Sequence, residues 1–339
     1  MCMKESQKPY LRRLRYAVQL WFLLFCIYAG YRFFQFLLHF EKPGQPFVQR
    51  PPSVDGFLPI AGFMSLKYFL LTGIIEPIHP AAMILFVAIL MTSLLLKKGF
   101  CGWICPVGTV SQYLWMAGRR LFGRNFVIKK EIDIPLRAIK YIIMAIFLIL
   151  IGIAMTPNMM ILFFITDYYK IVDVRTMRFF TEMSVTTAVV LSVLVLLSLL
   201  YRNFWCRYLC PYGALLGLVS ILSPLKIRRR QTDCIHCRRC SDNCPSLIDV
   251  EKKTTISSPE CCGCLTCVSY CPSGAVEVTL RTNRSRILVR PAYYIASLLI
   301  VFYLFVGIGK LTGHWQSKLP YAEYKRLLTP QGTDGSAGR

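Results

Sequence analysis

Residues 79–108 read HPAAMILFVAILMTSLLLKKGFCGWICPVG: an uncharged apolar run, a pair of lysines, then two cysteines four positions apart with a proline directly behind the second. The chain does this again at 185–213, VTTAVVLSVLVLLSLLYRNFWCRYLCPYG, so that Cys101 and Cys105 recur as Cys206 and Cys210, each pair in the pattern C-x-x-x-C-P-x-G. About 20 mostly apolar residues cross roughly 30 Å of hydrocarbon, and the composition fits that use. Of 339 residues, 55% are hydrophobic and 17% charged, with a mean hydropathy of +0.48. That is too apolar for a soluble domain of this length.

Five segments read as transmembrane helices, at 16–40, 79–97, 136–156, 183–201 and 291–310. The first follows LRRLR, has no small-residue cleavage site and exceeds a signal-peptide core, so it is expected to stay as an anchor. Lysine and arginine are retained on the cytoplasmic side, and residues 1–15, 97–135 and 201–290 hold 26 of the 40 basic residues. This places the N-terminus inside and the C-terminus outside. GFLPIAGFMSLKYFLLTGII at 56–75 carries Pro59 and Lys67; if it crossed, the basic 97–135 loop would face outward, so an interfacial or re-entrant element is expected. NMMILFFITDYY at 158–169 occupies the matching place between the third and fourth spans. The membrane part thus reads as two repeated hairpin units, each ending in C-x-x-x-C-P. The net charge of +23 is topological, meeting anionic lipid heads, and no nucleic-acid partner is expected.

Fifteen cysteines facing mainly a compartment that keeps thiols reduced are not a disulfide framework. CIHCRRCSDNCP sets Cys234, Cys237, Cys240 and Cys244 in the spacing C-x2-C-x2-C-x3-C-P, and ECCGCLTCVSYCP repeats it with Cys261, Cys264, Cys267 and Cys271. In that spacing three close thiolates wrap one face of a 4Fe-4S cube, and the fourth cysteine serves the other cluster. Cys234, Cys237, Cys240 and Cys271 are therefore assigned to the first cluster, and Cys261, Cys264, Cys267 and Cys244 to the second. Paired C-x2-C units also bind zinc, but zinc demands neither four cysteines per run nor the terminal proline. Without metal, a segment of this size between two membrane helices buries too little core to fold. Cys2, Cys26 and Cys262 read as thiols outside the ligand sets.

Taken together, FLPIAGFMSLKYFLLTG, IHPA, KKGFCGWICPVGT, FWCRYLCPYGALLG and the two cysteine runs, which span most of residues 12–280, make the chain resemble the membrane-bound polyferredoxins of the NapH/YccM type, related to the membrane parts of NosR and CcoG. The resemblance implies a bacterial inner-membrane electron carrier, often drawing on quinol. The flavin-binding outer domain of NosR and the C-terminal domain of CcoG have no counterpart in these residues. The expected fold is an α-helical integral membrane protein of about five transmembrane helices with an inserted cytoplasmic two-cluster ferredoxin domain (α+β). Its expected parts are a basic N-terminus at 1–15, a membrane domain at 16–223, the ferredoxin domain at 224–290, a last span at 291–310 and an outer tail at 311–339.

Proline after the second cysteine suits the first turn of a helix, which places Cys105 and Cys210 at helix N-termini, where amides and dipole favour a thiolate. Because the units repeat, Cys101, Cys105, Cys206 and Cys210 are candidate redox thiols converging on one site: a disulfide pair, a metal site or a third cluster. Packing of the helix start is the plainer alternative. His79 and His39 are weaker candidates for haem or quinol contact, and Glu76 and Asp167 for taking protons from a quinol. Arg32 is expected to snorkel, and His236 to face solvent. The function expected is electron transfer through two 4Fe-4S clusters between the quinone pool or a membrane dehydrogenase and another redox protein, as a carrier subunit rather than a stand-alone enzyme. The alternatives are a copper reductase or assembly factor using the C-x-x-x-C-P thiols, which the CcoG resemblance allows, and a membrane iron-sulfur sensor.

Overall fold

The computed structural model describes residues 9–281 and 286–329; Cys2 and the end of the tail lie outside them. The helices, in chain order, are α1 Pro9–Glu41, α2 Pro59–Thr72, α3 Pro80–Leu96, α4 Gly99–Trp103, α5 Pro106–Phe122, α6 Lys130–Ile149, α7 Pro157–Phe164, α8 Asp167–Lys170, α9 Val172–Thr181, α10 Val185–Leu200, α11 Pro211–Val219, α12 Arg239–Asp242, α13 Thr266–Tyr270, α14 Pro291–Leu311 and α15 Tyr321–Leu328. Proline opens α2, α5, α7 and α11, where its missing N–H is no loss and its fixed φ fits the turn.

Among the described residues, three helices are long and apolar enough to cross a bilayer: Pro9–Glu41, Lys130–Ala154 and Pro291–Leu311. Helices α9 and α10 reach that standard only as a pair bent by 78°. Helix α3 has 17 residues, about 25 Å at 1.5 Å per residue. It stops because Lys97 turns left-handed at φ 58°, which a continuing helix does not permit. The apolar segment after Phe57 forms α2, whose 14 residues rise only about 21 Å and end on left-handed Gly73. Its Lys67 donates to the carbonyls of Ile151 and Met155 at 2.9 and 2.5 Å, satisfying groups left open where α6 widens to a π turn at Leu150–Ala154.

The chain forms two compact units. One comprises the chain up to Leu24 with Ala88–Ile146 and Ala188–Leu304; the other comprises Phe25–Val87, Phe147–Thr187 and the chain from Phe305. The first unit contains an antiparallel sheet of β1 Leu225–Arg229, β2 Thr255–Ile256, β3 Val276–Arg281 and β4 Arg286–Val289, in the order β2-β1-β3-β4. Ile227 stands opposite both Ile256 and Val278, and all three are buried. The sheet therefore presents one apolar face toward the cysteine loops. In the second unit Leu58, Met64, Tyr68, Met160, Phe164 and Tyr169 form one apolar cluster. Phe33, Phe36, Phe40, Val174 and Tyr324 belong to another.

Candidate electron-transfer centre

The two cysteine runs fold alike. Left-handed residues His236, Arg238 and Leu247 in the first run recur as Gly263, Leu265 and Gly274 in the second, each at the same offset of 27 positions. Left-handed residues within short loops turn successive N–H groups to one side, making a concavity suited to anions and to iron–sulfur groups. A cavity is lined by Cys244, Cys261, Cys264 and Cys267, with Ile227, Ile248 and Ile256 supplying apolar wall. The fourth cysteine of the first run thus joins the first three of the second. On the other side Cys240 lies close enough to Cys271 for that thiolate to raise its pKa, although burial is the larger cause. Cys234 is half-buried and Cys237 exposed, so this half is the one nearer solvent.

Fourteen described cysteines are free thiols, including all eight of the runs. Among the described residues, the set of His, Cys, Asp or Glu donors packed within 4.8 Å of one another is Asp55, His79 and Asp173, and it contains no cysteine. Thiols in two such runs have the donor chemistry of an iron–sulfur core. His236 is not among them: its side chain is 67% exposed and pairs with Glu251 at 2.8 Å.

The two C-x-x-x-C-P pairs come together within the same unit. Cys105 and Cys210 are the N-caps of α5 and α11, as the prolines predict, and Cys210 Sγ accepts from the Gly213 amide at 3.2 Å. Cys101 lies in α4, and Cys206 in the π turn Trp205–Leu209. Cys206 is near enough to Cys210, Cys105 and Cys101 for each to raise its pKa, after burial as the main cause. The expectation of a thiolate at the start of α5 is corrected for Cys105. Burial pushes Cys105 up and Cys101 up to about 11, outweighing the exposed amides, because the helix end is capped inside protein rather than in water.

Several polar residues tie the thiols to the ferredoxin part, and composition alone did not single them out. Buried Lys98 faces Cys101, Glu260, Cys210 and Cys206; burial opposes its charge, but interaction with the negatively charged forms of these groups outweighs it and raises its pKa above the usual value. Lys140 bonds both oxygens of Glu260 at 2.7 and 2.8 Å, joined by Tyr141 at 3.1 Å. Arg207, next to Cys206, grips Asp133 through Nε and Nη2 at 2.9 and 2.8 Å, and its Nη1 reaches Ser246 O at 2.7 Å. Arg15, one of the arginines of LRRLR, is only 7% exposed. It donates to Gly102 O at 3.0 Å, Thr266 Oγ1 at 2.8 Å and Gln112 Oε1 at 2.5 Å. Thr266 Oγ1 in turn lies 3.2 Å from Cys264 Sγ. The Cys264 thiol is held low by a hydrogen bond from Cys262 and by the charge of Arg15. Gly102 is where the two cysteine systems touch. A Cβ there would lie 2.5 Å from Cys262 O and 3.3 Å from the Cys264 Cβ, so only glycine allows this approach.

In the other unit, Arg50 bonds Asp55, Asp173 at 2.6 Å and His79 Nδ1 at 3.2 Å. Asp55, His79 and Asp173 would suit a divalent ion by spacing, but the guanidinium occupies the cation's place. His79 Nε2 meets Tyr169 O at 3.0 Å. Both ring nitrogens of His39 are engaged as well, with Gln45 O at 2.6 Å and Tyr321 OH at 2.9 Å. Neither imidazole is free to ligate a haem. Glu76 accepts from the amides of Ile78 and His79 and from Tyr169 OH, whereas Asp167 is exposed and bound to Arg326.

A family model described as a 4Fe-4S binding domain matches residues 78–125 and 184–230, each match enclosing one C-x-x-x-C-P pair. A 4Fe-4S dicluster domain model matches residues 226–272. YccM of Escherichia coli K12, whose name proposes an electron-transport role, is 42% identical over 93% of this chain and 89% of its own length. The ferredoxin-type protein NapH of the same organism is 25% identical over 60% of this chain and 70% of its own. The regulatory protein NosR of Stutzerimonas stutzeri is 28% identical over 56% of this chain and 25% of its own length. No solved structure matches.

Proposed function

The chain belongs to the ferredoxin-type membrane protein family of YccM and NapH, with an electron-transport role carried by 4Fe-4S domains, and we propose that it conducts electrons along three iron–sulfur centres in line. Cys101, Cys105, Cys206 and Cys210 hold the membrane-side centre. Cys261, Cys264, Cys267 and Cys244 hold the middle one, and Cys234, Cys237, Cys240 and Cys271 the outermost, with the ferredoxin part in the cytoplasm of a bacterial cell and five spans in the inner membrane. An iron–sulfur cluster, when bound, takes up and gives back one electron. The protein's own residues supply the rest. Lys98 compensates negative charge among the membrane-side thiols, Arg15 does so beside Cys264, and Gly102 lets the Cys101 segment contact the Cys264 side chain. Exposed Cys237 marks the end at which a soluble redox partner is met.

The observation that carries this reading is the convergence of the four C-x-x-x-C-P thiols, one pair from each repeat, in segments that the 4Fe-4S model matches separately. The test replaces Cys101 and Cys206 by serine, which keeps the size but is a poor soft-metal ligand. Full-length protein purified without oxygen should carry about twelve irons per chain, and the double variant about eight, with both ferredoxin clusters retained. Equal iron in the two proteins would remove the third centre.

A further inference from the structure

A cavity of about 330 Å³ opens between the start of α1, helix α5 and the segment around α13, all within one compact unit. Four arginines line it, Arg12, Arg15, Arg119 and Arg120, and among the described residues no acidic side chain does. Trp115 lines it too, and Arg202 adds a fifth positive charge at that wall, 5.4 Å from the Trp115 ring centre. Like charges gathered without a counter-ion repel one another, so the arrangement favours an anion in their midst. The donors divide into two kinds. Each nitrogen of the Arg15 guanidinium already bonds within the protein, and Arg12 Nη1 is held 3.0 Å from Tyr270 OH; these two supply charge from fixed positions. Arg119 and Arg120 are exposed and offer forked donors, whose geometry matches phosphate oxygens. Trp115 is 8% exposed, and among the described residues its indole N–H meets no acceptor, a rare condition for a buried donor.

We propose that this cleft binds a phosphate-bearing anion, its oxygens clamped by Arg119 and Arg120, and that the phosphate is the headgroup of an anionic membrane phospholipid. The volume lies at the lower end of small-molecule sites, roughly 300–1,000 Å³. It takes a phosphoglycerol headgroup and leaves no room for acyl chains. Those have a way out along an apolar rim: Leu121 and Phe122, directly after the two arginines at the end of α5, are 73% and 50% exposed. On the other side, α1 passes from LRRLR to its apolar run just after Arg15, within a helix long enough to span a bilayer. Basic pockets among helices at the membrane boundary suit anionic headgroups. A soluble phosphate ester carries the same oxyanion but gains nothing from the apolar rim. The general attraction of basic loops to a membrane surface is different, since it needs neither a cavity nor particular arginines. A phosphate held here joins three segments far apart in sequence, bracing the first turns of α1 and the end of α5 against α13, and it stabilises the folded chain by mass action. Nothing in this chemistry requires the neighbouring thiols to hold metal, so the site and the electron path can fail separately.

The test titrates the purified full-length protein, in a neutral detergent, with dihexanoyl phosphatidylglycerol, reading bound lipid by native mass spectrometry and the rise in unfolding temperature. Dihexanoyl phosphatidylcholine, glycerol phosphate and inorganic phosphate are titrated in parallel. Phosphatidylglycerol should bind saturably, one per chain, and raise the unfolding temperature. Arg119→Gln/Arg120→Gln, which removes the clamp, and Met116→Trp, which fills the cleft and keeps the charge, should each weaken binding at least about tenfold. Lys129→Gln/Lys130→Gln removes equal charge from exposed positions outside the cleft. At physiological salt that change is screened and should move the affinity by less than about twofold. Far-ultraviolet circular dichroism and elution volume certify the fold of each variant, and the exposed arginine pair decides the matter if Met116→Trp misfolds. Glycerol phosphate binding as tightly as the lipid, with the same dependence on Arg119 and Arg120, would uphold the phosphate site and overturn its membrane source. No saturable binding of any of these phosphates overturns the proposal. So does equal affinity for phosphatidylcholine, or an equal loss in Lys129→Gln/Lys130→Gln.

Discussion

Replacing Arg50 by methionine should convert a neutralised cluster into an open cation site. The side chain is 5% exposed and its guanidinium pairs with both Asp55 and Asp173. Without it, two buried carboxylates face each other with donor atoms within 4.8 Å. At that distance and an effective dielectric of about 20, like charges repel by about 3 kcal/mol. Breaking a buried pair by removing one partner costs about 3–5 kcal/mol in general, so both routes give a loss near 3–4 kcal/mol. Thermal unfolding of detergent-solubilised Arg50→Met, followed by intrinsic fluorescence, should therefore start well below that of the parent. Manganese, which prefers oxygen and nitrogen to the protein's thiols, should then bind Asp55, His79 and Asp173 and restore about 2.7 kcal/mol at a hundredfold excess over its dissociation constant. The parent should gain nothing, because its guanidinium already holds the position. A variant as stable as the parent, or one indifferent to manganese, would refute this account of the cluster.

Gly102→Val should destabilise the protein by about 1–3 kcal/mol through overpacking against Cys262 and Cys264 and slow reduction of the ferredoxin clusters by a membrane donor, while Gly307→Ala, with nothing within 4 Å of the new Cβ, should do neither. Asp133→Asn should lower stability by about 3 kcal/mol by leaving Arg207 buried without its partner, and iron analysis should show the loss concentrated on the C-x-x-x-C-P thiols. Arg15→Gln should lower the reduction potential of the cluster bound through Cys264 and leave the outermost one unchanged in a redox titration, since a nearby cation favours the more negative reduced state.

The 4Fe-4S character of the two cysteine runs was legible because cluster binding imposes local spacing, and local spacing is what a chain displays directly. The membrane character was equally plain, since burial in hydrocarbon needs only length and apolarity. Cys105 and Cys210 as helix caps followed from a single proline each. What only the tertiary structure decided is where charge is buried. Arg15 and Lys98 stand in runs that read as basic topology signals, yet each is folded in against thiols, and nothing in LRRLR or KKGF separates a buried cation from a solvated one. The same holds for Arg50, Asp55 and Asp173, which lie far apart in sequence and meet only when their segments pack. The thiolate expected at Cys105 failed for a related reason: a helix N-terminus is defined locally, but desolvation is set by everything around it. Spacing along one segment specifies ligands, whereas dielectric, charge pairing and the contact at Gly102 arise between segments, and those exist only in the folded chain.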